Sequence, residues 1–392
     1  MMDYKQILSQ RIQEVPPSGI RKYFDIMAEM DDAISLGVGE PDFQTPWHIR
    51  DAGIYSLEKG FTKYTPNAGL SDLRRAICRY LKRRFDLDYQ PIGQTLVTVG
   101  GSEGLDLAFR CLLEPGDEVI IPIPSFVCYG PLVSMIHGVP VYVETKVEHE
   151  FRLTPEELKA AITPRTKILV LPFPNNPTGG IMHREDLEAL AEVLRGTNIM
   201  VVSDEIYAEL TYGGRHTSIA SFPGMKERTV LLGGFSKAFA MTGWRVGFVC
   251  APPAIDDAMF KIHQYAIMCA PRMSQHAANT ALAEGFSDGF ATVEEMREEY
   301  KKRGGFLVNA FNSMNLKCFS PKGAFYVFPS VAATGLDGEQ FANRLLEAKK
   351  VAVVPGDAFG EAGKYHVRCS YATSMSQLAE AIERIGDFVR GL

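Results

Sequence analysis

Residues 233–247 read GGFSKAFAMTGWRVG, a stretch of small and aromatic residues with only two charged side chains, Lys237 and Arg245. A lysine in such surroundings is a poor candidate for a solubilising surface charge, because desolvation favours the neutral amine over the ammonium ion. A neutral amine can condense with an aldehyde to form a Schiff base. The stretch therefore predicts that Lys237 is a catalytic residue that holds an aldehyde covalently.

Short apolar runs rich in valine and isoleucine occur on both sides of this stretch. They cover residues 96–99, 118–121, 139–143, 167–171, 200–204, 229–233 and 247–251. Continuous apolar runs, as opposed to alternating ones, are typical of strands buried on both faces of a mostly parallel sheet. The middle of the chain is therefore predicted to be α/β, with a seven-stranded sheet.

Helix signals divide the chain further. Thr154 and Pro155 combine an N-cap with a proline at the first helical position, which predicts a helix to about residue 161. Ser374 opens a second amphipathic helix that is expected to end near residue 389. From about residue 290 the composition shifts to long charged helices at 294–303 and 340–350. We predict a large domain at 45–285 and a smaller α+β domain formed by 1–44 and 286–392.

Composition and charge exclude several classes of protein. The 392 residues are 46% hydrophobic and carry a net charge of -6, with both signs mixed, which argues against nucleic acid or an anionic membrane as the main partner. An uncharged run at 119–143 contains four prolines, which favour a strand, a loop, a helix and a second strand over a membrane span. Seven cysteines without a CxxC pair suggest neither a disulfide framework nor a metal site. The charged N-terminus lacks a secretion signal, so we expect a cytoplasmic protein.

Polar residues follow three of the predicted strands, where ligands of open α/β sheets bind. They are Asn176 in PNNPTG (174–179), Asp204 in DEIY (204–207), and the Ser236-Lys237 pair. These types suit pyridoxal phosphate, because a carboxylate keeps its pyridine nitrogen protonated and the donors of Asn176 and Tyr207 suit its anionic ring oxygen. Asp204 is also explained by a simple helix N-cap.

The phosphate of such a cofactor needs its own donors. The stretch VGGSEG (99–104) follows a strand and opens a predicted helix at 105–113, so backbone N–H groups near Gly101 and Ser102 can face an anion. Ser236 and Arg245 are expected to complete this phosphate site. Glycines after a strand also make plain turns, and Arg245 has an alternative role in a structural ion pair.

Three further residues are candidates for ring and substrate contacts. Phe126 in PSFVCY (124–129) lies at the same sheet edge and can stack on the cofactor, although core packing is the simple alternative. Arg368 lies in an apolar run where an unpaired guanidinium is costly, so we expect it to bind a substrate carboxylate. Gly39 permits close backbone approach to that carboxylate, or only forms a turn.

In their order along the chain, these motifs resemble those of the class I aminotransferases of fold type I, which depend on pyridoxal phosphate. The matching motifs are GEPDF (39–43), Tyr64, NPTG (176–179), DEIY (204–207), SK (236–237), MTGWR (241–245), GAFY (323–326), VPG (354–356) and Arg368. The resemblance implies a homodimer in which Tyr64 reaches the phosphate bound to the neighbouring subunit. It also implies that the segment around Ile20 contacts the substrate and forms a lid.

Within that family, SGIRK (18–22) and PSFVCY (124–129) are most similar to the prokaryotic aromatic and aspartate aminotransferases, a branch that includes enzymes for acyl-diaminopimelate. No second arginine for a side-chain carboxylate can be assigned by motif. The resemblance implies ping-pong transfer of an amino group from an aromatic or acidic L-amino acid to a 2-oxo acid, with 2-oxoglutarate as the expected acceptor.

Rival functions share part of this pattern. A carbon–sulfur β-lyase of the same fold would have every cofactor contact in common with an aminotransferase. A transcription factor that senses pyridoxal phosphate requires an attached DNA-binding module, and the stretch before Gly37 is too short for one. A nicotinamide dehydrogenase is disfavoured because no GxGxxG motif follows the first strand.

Overall fold

The computed structural model describes residues 2–17, 19–20 and 32–392 of the chain. Ser18, Arg21 and Lys22 of the SGIRK motif lie outside the described residues. The expected lid around Ile20 therefore falls only partly within them.

A seven-stranded sheet forms the centre of the fold. In spatial order its strands are β2 (Thr95–Thr98), β8 (Gly247–Cys250), β7 (Thr229–Gly234), β6 (Met200–Asp204), β5 (Thr166–Leu171), β3 (Glu118–Ile123) and β4 (Val139–Glu144). The five strands from β7 to β4 are parallel, whereas β8 runs antiparallel to both of its neighbours. The predicted seven-stranded, mostly parallel sheet is confirmed.

Both faces of this sheet are buried, which explains the continuous apolar runs. Val201 and Val202 are neighbours in β6 but pack into different apolar clusters, and Phe248 and Val249 of β8 do the same. Successive strand side chains point to opposite faces, so each face has its own core.

Eight α-helices accompany the sheet in the described part of residues 45–290. Their bounds are Trp47–Glu58, Ser71–Phe85, Gly100–Leu112, Tyr129–Met135, Pro155–Ala161, Arg184–Leu194, Pro253–Ala266 and Arg272–Asp288. Thr154 forms the predicted capping box with Glu157. The prediction that a helix starts at residue 105 is wrong: the helix already begins at Gly100, because that residue has a positive φ of 71° and turns the chain straight from β2 into the helix.

The C-terminal residues build a separate apolar cluster. Its helices are Ala291–Ser313, Gly338–Lys349 and Met375–Arg390, and its strands are β9 (Tyr326–Val327), β10 (Val351–Ala352), β11 (Val354–Pro355) and β12 (Val367–Ser370). The strand β1 (Ile34–Ser35) pairs with β10, so part of the N-terminal segment joins this cluster. Two short, exposed helices, Tyr4–Ile7 and Gln10–Glu14, precede it. Within the described ranges, no helix is long and apolar enough to cross a membrane.

Candidate active site

A cavity of about 700 Å³ opens at the carboxyl ends of β5, β6 and β7. Twelve predicted site residues contribute to its lining: Ile20, Gly39, Gly101, Ser102, Phe126, Asn176, Asp204, Tyr207, Ser236, Lys237, Arg245 and Arg368. Tyr64 lies elsewhere and is 78% exposed. The topology thus brings together residues that are up to 348 positions apart in the sequence, since Ile20 and Arg368 share one cavity (368 − 20).

Lys237 follows β7 at the floor of the cavity. Its Nζ atom donates a hydrogen bond to the carbonyl oxygen of Gly39 at 2.7 Å and lies 5.7 Å from the ring centre of Tyr207. Burial lowers the pKa of Lys237 to about 8, and the nearby guanidinium groups of Arg368 and Arg245 act in the same direction. A substantial fraction of the amine is therefore neutral near pH 8, as attack on an aldehyde requires.

Asp204 ends β6 and places a half-buried carboxylate in the cavity wall. Its Oδ2 atom accepts a hydrogen bond from the hydroxyl of Tyr129 at 2.8 Å, and its Oδ1 atom accepts one from the backbone N–H of Ile206. Burial raises the pKa of Asp204, and the Tyr129 bond opposes that rise. No α-helix starts at this point of the described chain, so the carboxylate does not serve as a helix N-cap.

Tyr129 was missed by sequence reasoning, although it lies in the PSFVCY motif three residues after Phe126. Phe126 is 36% exposed and meets the Tyr129 ring edge-on, with 6.3 Å between ring centres. It is thus a wall of the cavity and no part of the core. The spacing of the two aromatic residues was the available signal, but only the fold shows that Tyr129 reaches Asp204.

One end of the cavity collects donors that suit an anion. The helix Gly100–Leu112 starts there without a side-chain cap, so the backbone N–H groups of its first turn are not taken by a capping residue. Arg245 lies against this turn, since a Cβ atom added to Gly100 would be 2.6 Å from its Nη2 atom. In the described part of the chain Arg245 donates to the carbonyl of Thr242 and forms no ion pair, so its charge is uncompensated.

Arg368 lies in β12 and is only 2% exposed. It donates to Oδ1 of Asn176 at 3.0 Å and to the carbonyl of Gly37 at 2.5 Å, while its Nε atom has no partner within the described residues. Rings of Tyr326 and Phe359 cover its faces. All these partners are neutral, and burial lowers the pKa of Arg368. The guanidinium is therefore a buried donor that suits an incoming carboxylate.

The other cavity residues complete this arrangement. Because Oδ1 of Asn176 accepts from Arg368, the Nδ2 group is the part of this amide that remains as a donor for a ligand. The hydroxyl of Tyr207 shares a 2.8 Å hydrogen bond with that of Tyr326. Gly39 lies so near this pair that a Cβ atom would be 2.8 Å from the Tyr326 hydroxyl. Ile20 packs in an apolar cluster with Phe359, which covers Arg368.

These donors can be compared with the groups of pyridoxal phosphate. The cofactor carries an aldehyde, a pyridine nitrogen and a phosphate, and the cavity provides a different partner for each. The partners are the Lys237 amine with its lowered pKa, the Asp204 carboxylate, and the uncapped helix start beside Arg245. The residues present therefore fit this cofactor.

Comparison with known proteins agrees with this fit. The family model described as "Aminotransferase class I and II" matches residues 31–385. "Putative aminotransferase YugH" of Bacillus subtilis is 52% identical over 97% of this chain and 98% of its own length. An aspartate aminotransferase of Pyrococcus abyssi is 45% identical over 98% of both chains. The solved structure of an aromatic aminotransferase from Pyrococcus horikoshii superposes with a TM-score of 0.89 and 43% identity, covering 95% of this chain and 99% of that chain.

The family match spans most of the chain, the relatives align with it nearly from end to end, and the cavity holds a partner for every reactive group of the cofactor. The chain therefore belongs to the class I and II aminotransferases, which move an amino group from an amino acid to a 2-oxo acid with pyridoxal phosphate as cofactor.

Proposed function

We propose that this aminotransferase takes its amino group from an aromatic L-amino acid, with an acidic donor as the second candidate, and passes it to 2-oxoglutarate. The observation that carries the proposal is the buried Arg368 guanidinium, which has only neutral partners and an unused Nε donor in the described structure. A carboxylate bound there would form charge-assisted hydrogen bonds in a site shielded from water.

The walls of the cavity favour the aromatic donor over the acidic one. Ile20 and Val38 provide apolar surface for a side chain. The cationic residues of the described lining are Lys237, Arg245 and Arg368, each already matched to a group of the cofactor or of the α-amino acid. A second substrate carboxylate, including that of 2-oxoglutarate, would thus need donors from a partner subunit or from residues outside the described ranges.

The proposed chemistry assigns one task to each residue. When bound, pyridoxal phosphate supplies an aldehyde that captures the amino group and a ring that accepts the electron pair released at Cα. Arg368 orients the substrate through its carboxylate, and the Lys237 amine removes the proton from Cα and returns it to the cofactor side. Asp204 holds the proton on the ring nitrogen, and Asn176 and Tyr207 bind the ring oxygen. Phe126 stacks on the ring, while Gly101, Ser102, Ser236 and Arg245 bind the phosphate.

The proposal includes a homodimer in which Tyr64 reaches the phosphate bound to the partner subunit. Support comes from large apolar side chains that are more than half exposed, among them Trp47, Tyr55, Tyr64 and Tyr265. Exposed apolar side chains mark an interface where they form one patch. The experiment is sedimentation of the purified protein, for which we expect the mass of two chains.

We further propose the division into a large domain at 45–285 and a small domain at 1–44 plus 286–392. The pairing of β1 with β10 supports it, because it connects the N-terminal segment to the C-terminal cluster. We also place the protein in the cytoplasm, a compartment in which its seven unpaired cysteines would stay reduced.

A screen of donors tests the proposed substrate class. The holoenzyme is mixed with one amino acid at a time, and the visible absorbance of the bound cofactor is followed. We expect tyrosine and phenylalanine to be processed at least about tenfold faster than aspartate, because a small mismatch in an apolar pocket costs about 1–3 kcal/mol. A faster reaction with N-acetyl-LL-diaminopimelate than with tyrosine or phenylalanine would identify that compound as the donor in place of an aromatic amino acid. Pyruvate and ammonia from cystathionine would instead indicate a β-lyase.

Replacing Tyr129 with phenylalanine should weaken the interaction of Asp204 with the ring nitrogen of the bound cofactor. The variant loses the 2.8 Å bond to Asp204, so burial raises the pKa of that carboxyl further. We expect kcat/KM to fall about 10- to 100-fold, because a hydrogen bond to a charged group is worth about 1.5–3 kcal/mol. The exposed Tyr365 provides the control, and Tyr365→Phe should act like the wild type. Equal activity of both variants would remove Tyr129 from the proposed machinery.

Capture of pyridoxal phosphate by the apoenzyme should depend on pH through Lys237. The pKa of this amine is about 8, so below pH 8 the protonated, unreactive form dominates. We expect the capture rate to rise about tenfold per pH unit below 8 and to level off above it. Stopped-flow absorbance between pH 7 and 10 measures this. A rate that still climbed between pH 9 and 10 would indicate an unperturbed lysine.

A further inference from the structure

A buried glutamate–histidine pair lies behind the phosphate end of the cavity without lining it. Glu103 belongs to the first turn of the helix Gly100–Leu112, and His263 belongs to the helix Pro253–Ala266. Nδ1 of His263 is 2.6 Å from Oε1 of Glu103, and the side chains are 0% and 9% exposed. None of the chemistry assigned above uses these two titratable groups.

Each member of the pair also holds a backbone segment. Oε2 of Glu103 accepts the N–H of Val99 at 2.5 Å, directly before the uncapped helix start. Nε2 of His263 faces the carbonyl oxygen of Asn67 at 2.9 Å and therefore donates to it. One further proton is shared between Nδ1 and the Glu103 carboxyl group. The pair thus forms a continuous chain of hydrogen bonds from Val99 to Asn67.

Both ends of this chain belong to cofactor-binding elements. Val99 precedes the turn that presents Gly101 and Ser102 to the cavity. Asn67 lies three residues after Tyr64 in the same loop.

The loop at 64–70 is fixed at three more residues. The side chain of Gln275 donates to Thr65 and accepts from the N–H of Leu70, and the N–H of Val97 donates to the carbonyl of Ala68. With four of its seven residues anchored, the loop is held as a unit by these elements. His263, through Glu103, connects it to the N–H of Val99 at the start of the phosphate turn.

We propose that Glu103 and His263 are positioning residues for the phosphate site: they fix the turn at 99–102 and the loop at 64–67 relative to each other. The pair then fixes both the phosphate donors of its own subunit and the position from which Tyr64 reaches the partner subunit. The role of Tyr64 rests on the homodimer of the proposed function, whereas the hold on the turn at 99–102 does not.

Two variants separate this role from plain core stability. Glu103→Met keeps the length of the side chain but removes both acceptor oxygens, so Val99 and His263 each lose a partner. His263→Gln removes the shared proton and leaves the Glu103 carboxylate without its partner. Asp106→Asn is the matched control, because Asp106 lies one turn further along the same helix in an exposed ion pair with Arg110.

The experiment uses the holoenzyme in the absence of any amino acid, so an error in the proposed donor class cannot affect it. It records the rate of cofactor release, the ³¹P NMR signal of the bound cofactor, and the thermal midpoints of the apo and holo forms. We expect release from the two variants to be about 5- to 150-fold faster, the range of energetic coupling between linked sites. The ³¹P signal should shift, and the cofactor should stabilise the variants less than it stabilises the wild type. Asp106→Asn should match the wild type in all three measurements.

Wild-type release rates and an unchanged ³¹P signal in both variants would overturn the proposal. An equal loss of thermal stability in the apo and holo forms, with unchanged release, would reduce the pair to a structural role and overturn it as well. If His263→Gln does not yield folded protein, the Glu103→Met variant decides the outcome alone.

Discussion

Replacement of Lys237 by alanine is expected to abolish transamination, with kcat reduced by at least about 10⁴-fold, because the variant loses both the covalent anchor and the proton-transfer group. The lowered pKa of this amine and its place at the cavity floor are the reasons for the size of the effect. Borohydride reduction of the wild-type holoenzyme, followed by peptide mass spectrometry, should find the cofactor on Lys237. The alanine variant should carry no covalent cofactor.

The control for this experiment is Lys261→Ala, which removes an exposed lysine paired with Asp257. It should retain wild-type turnover and covalent labelling. Normal transamination by the Lys237→Ala variant would show that another amine performs the reaction. The assignment of this cavity as the active site would then be wrong.

Replacement of Arg368 by glutamine should lower kcat/KM for amino-acid donors by about 10²–10³-fold, since truncating one partner of a buried charge pair costs about 2–5 kcal/mol. Arg368→Lys should recover little of this loss, because an ammonium lacks the planar fork that binds a carboxylate at two points. The absorbance of the bound cofactor should persist in both variants. The substitutions should thus weaken substrate binding and leave cofactor binding unchanged.

A substrate comparison makes the test of Arg368 specific. The wild type should strongly prefer tyrosine to tyramine, which lacks the carboxylate, and the Arg368 variants should lose most of that preference. The exposed Arg344 offers the matched control, and Arg344→Gln should keep the preference. Unchanged discrimination in Arg368→Gln would place the carboxylate elsewhere.

The fold was largely predictable because its strands are buried on both faces. Such strands appear in the sequence as continuous apolar runs, and all seven were located, with ends that differ by at most two residues from those observed. The start of the helix at Gly100 was predicted five residues too late. A positive φ at Gly100 allows the helix to begin directly after β2, and apolar periodicity does not report such a turn.

The site was predictable where chemistry and position coincide. Asn176, Asp204 and Lys237 each follow a strand, so the sheet edge gathers them, and Arg368 was indicated by the cost of burying its charge. The contacts that tune these residues were not predictable. The Tyr129–Asp204 bond spans 75 positions, the Glu103–His263 bond 160 and the Arg368–Gly37 bond 331. Strand order and loop packing determine such pairs, and no local pattern specifies them.

The central claim, amino transfer from an aromatic donor to 2-oxoglutarate, is tested most directly by following the nitrogen atom. The holoenzyme is incubated with ¹⁵N-tyrosine and 2-oxoglutarate, and the products are analysed by mass spectrometry. We predict ¹⁵N-glutamate and 4-hydroxyphenylpyruvate in equal amounts, with no labelled ammonia. If the label remains in tyrosine, while ¹⁵N-aspartate supplied under the same conditions yields ¹⁵N-glutamate, the aromatic donor is contradicted. Labelled ammonia without labelled glutamate would contradict amino transfer from this donor.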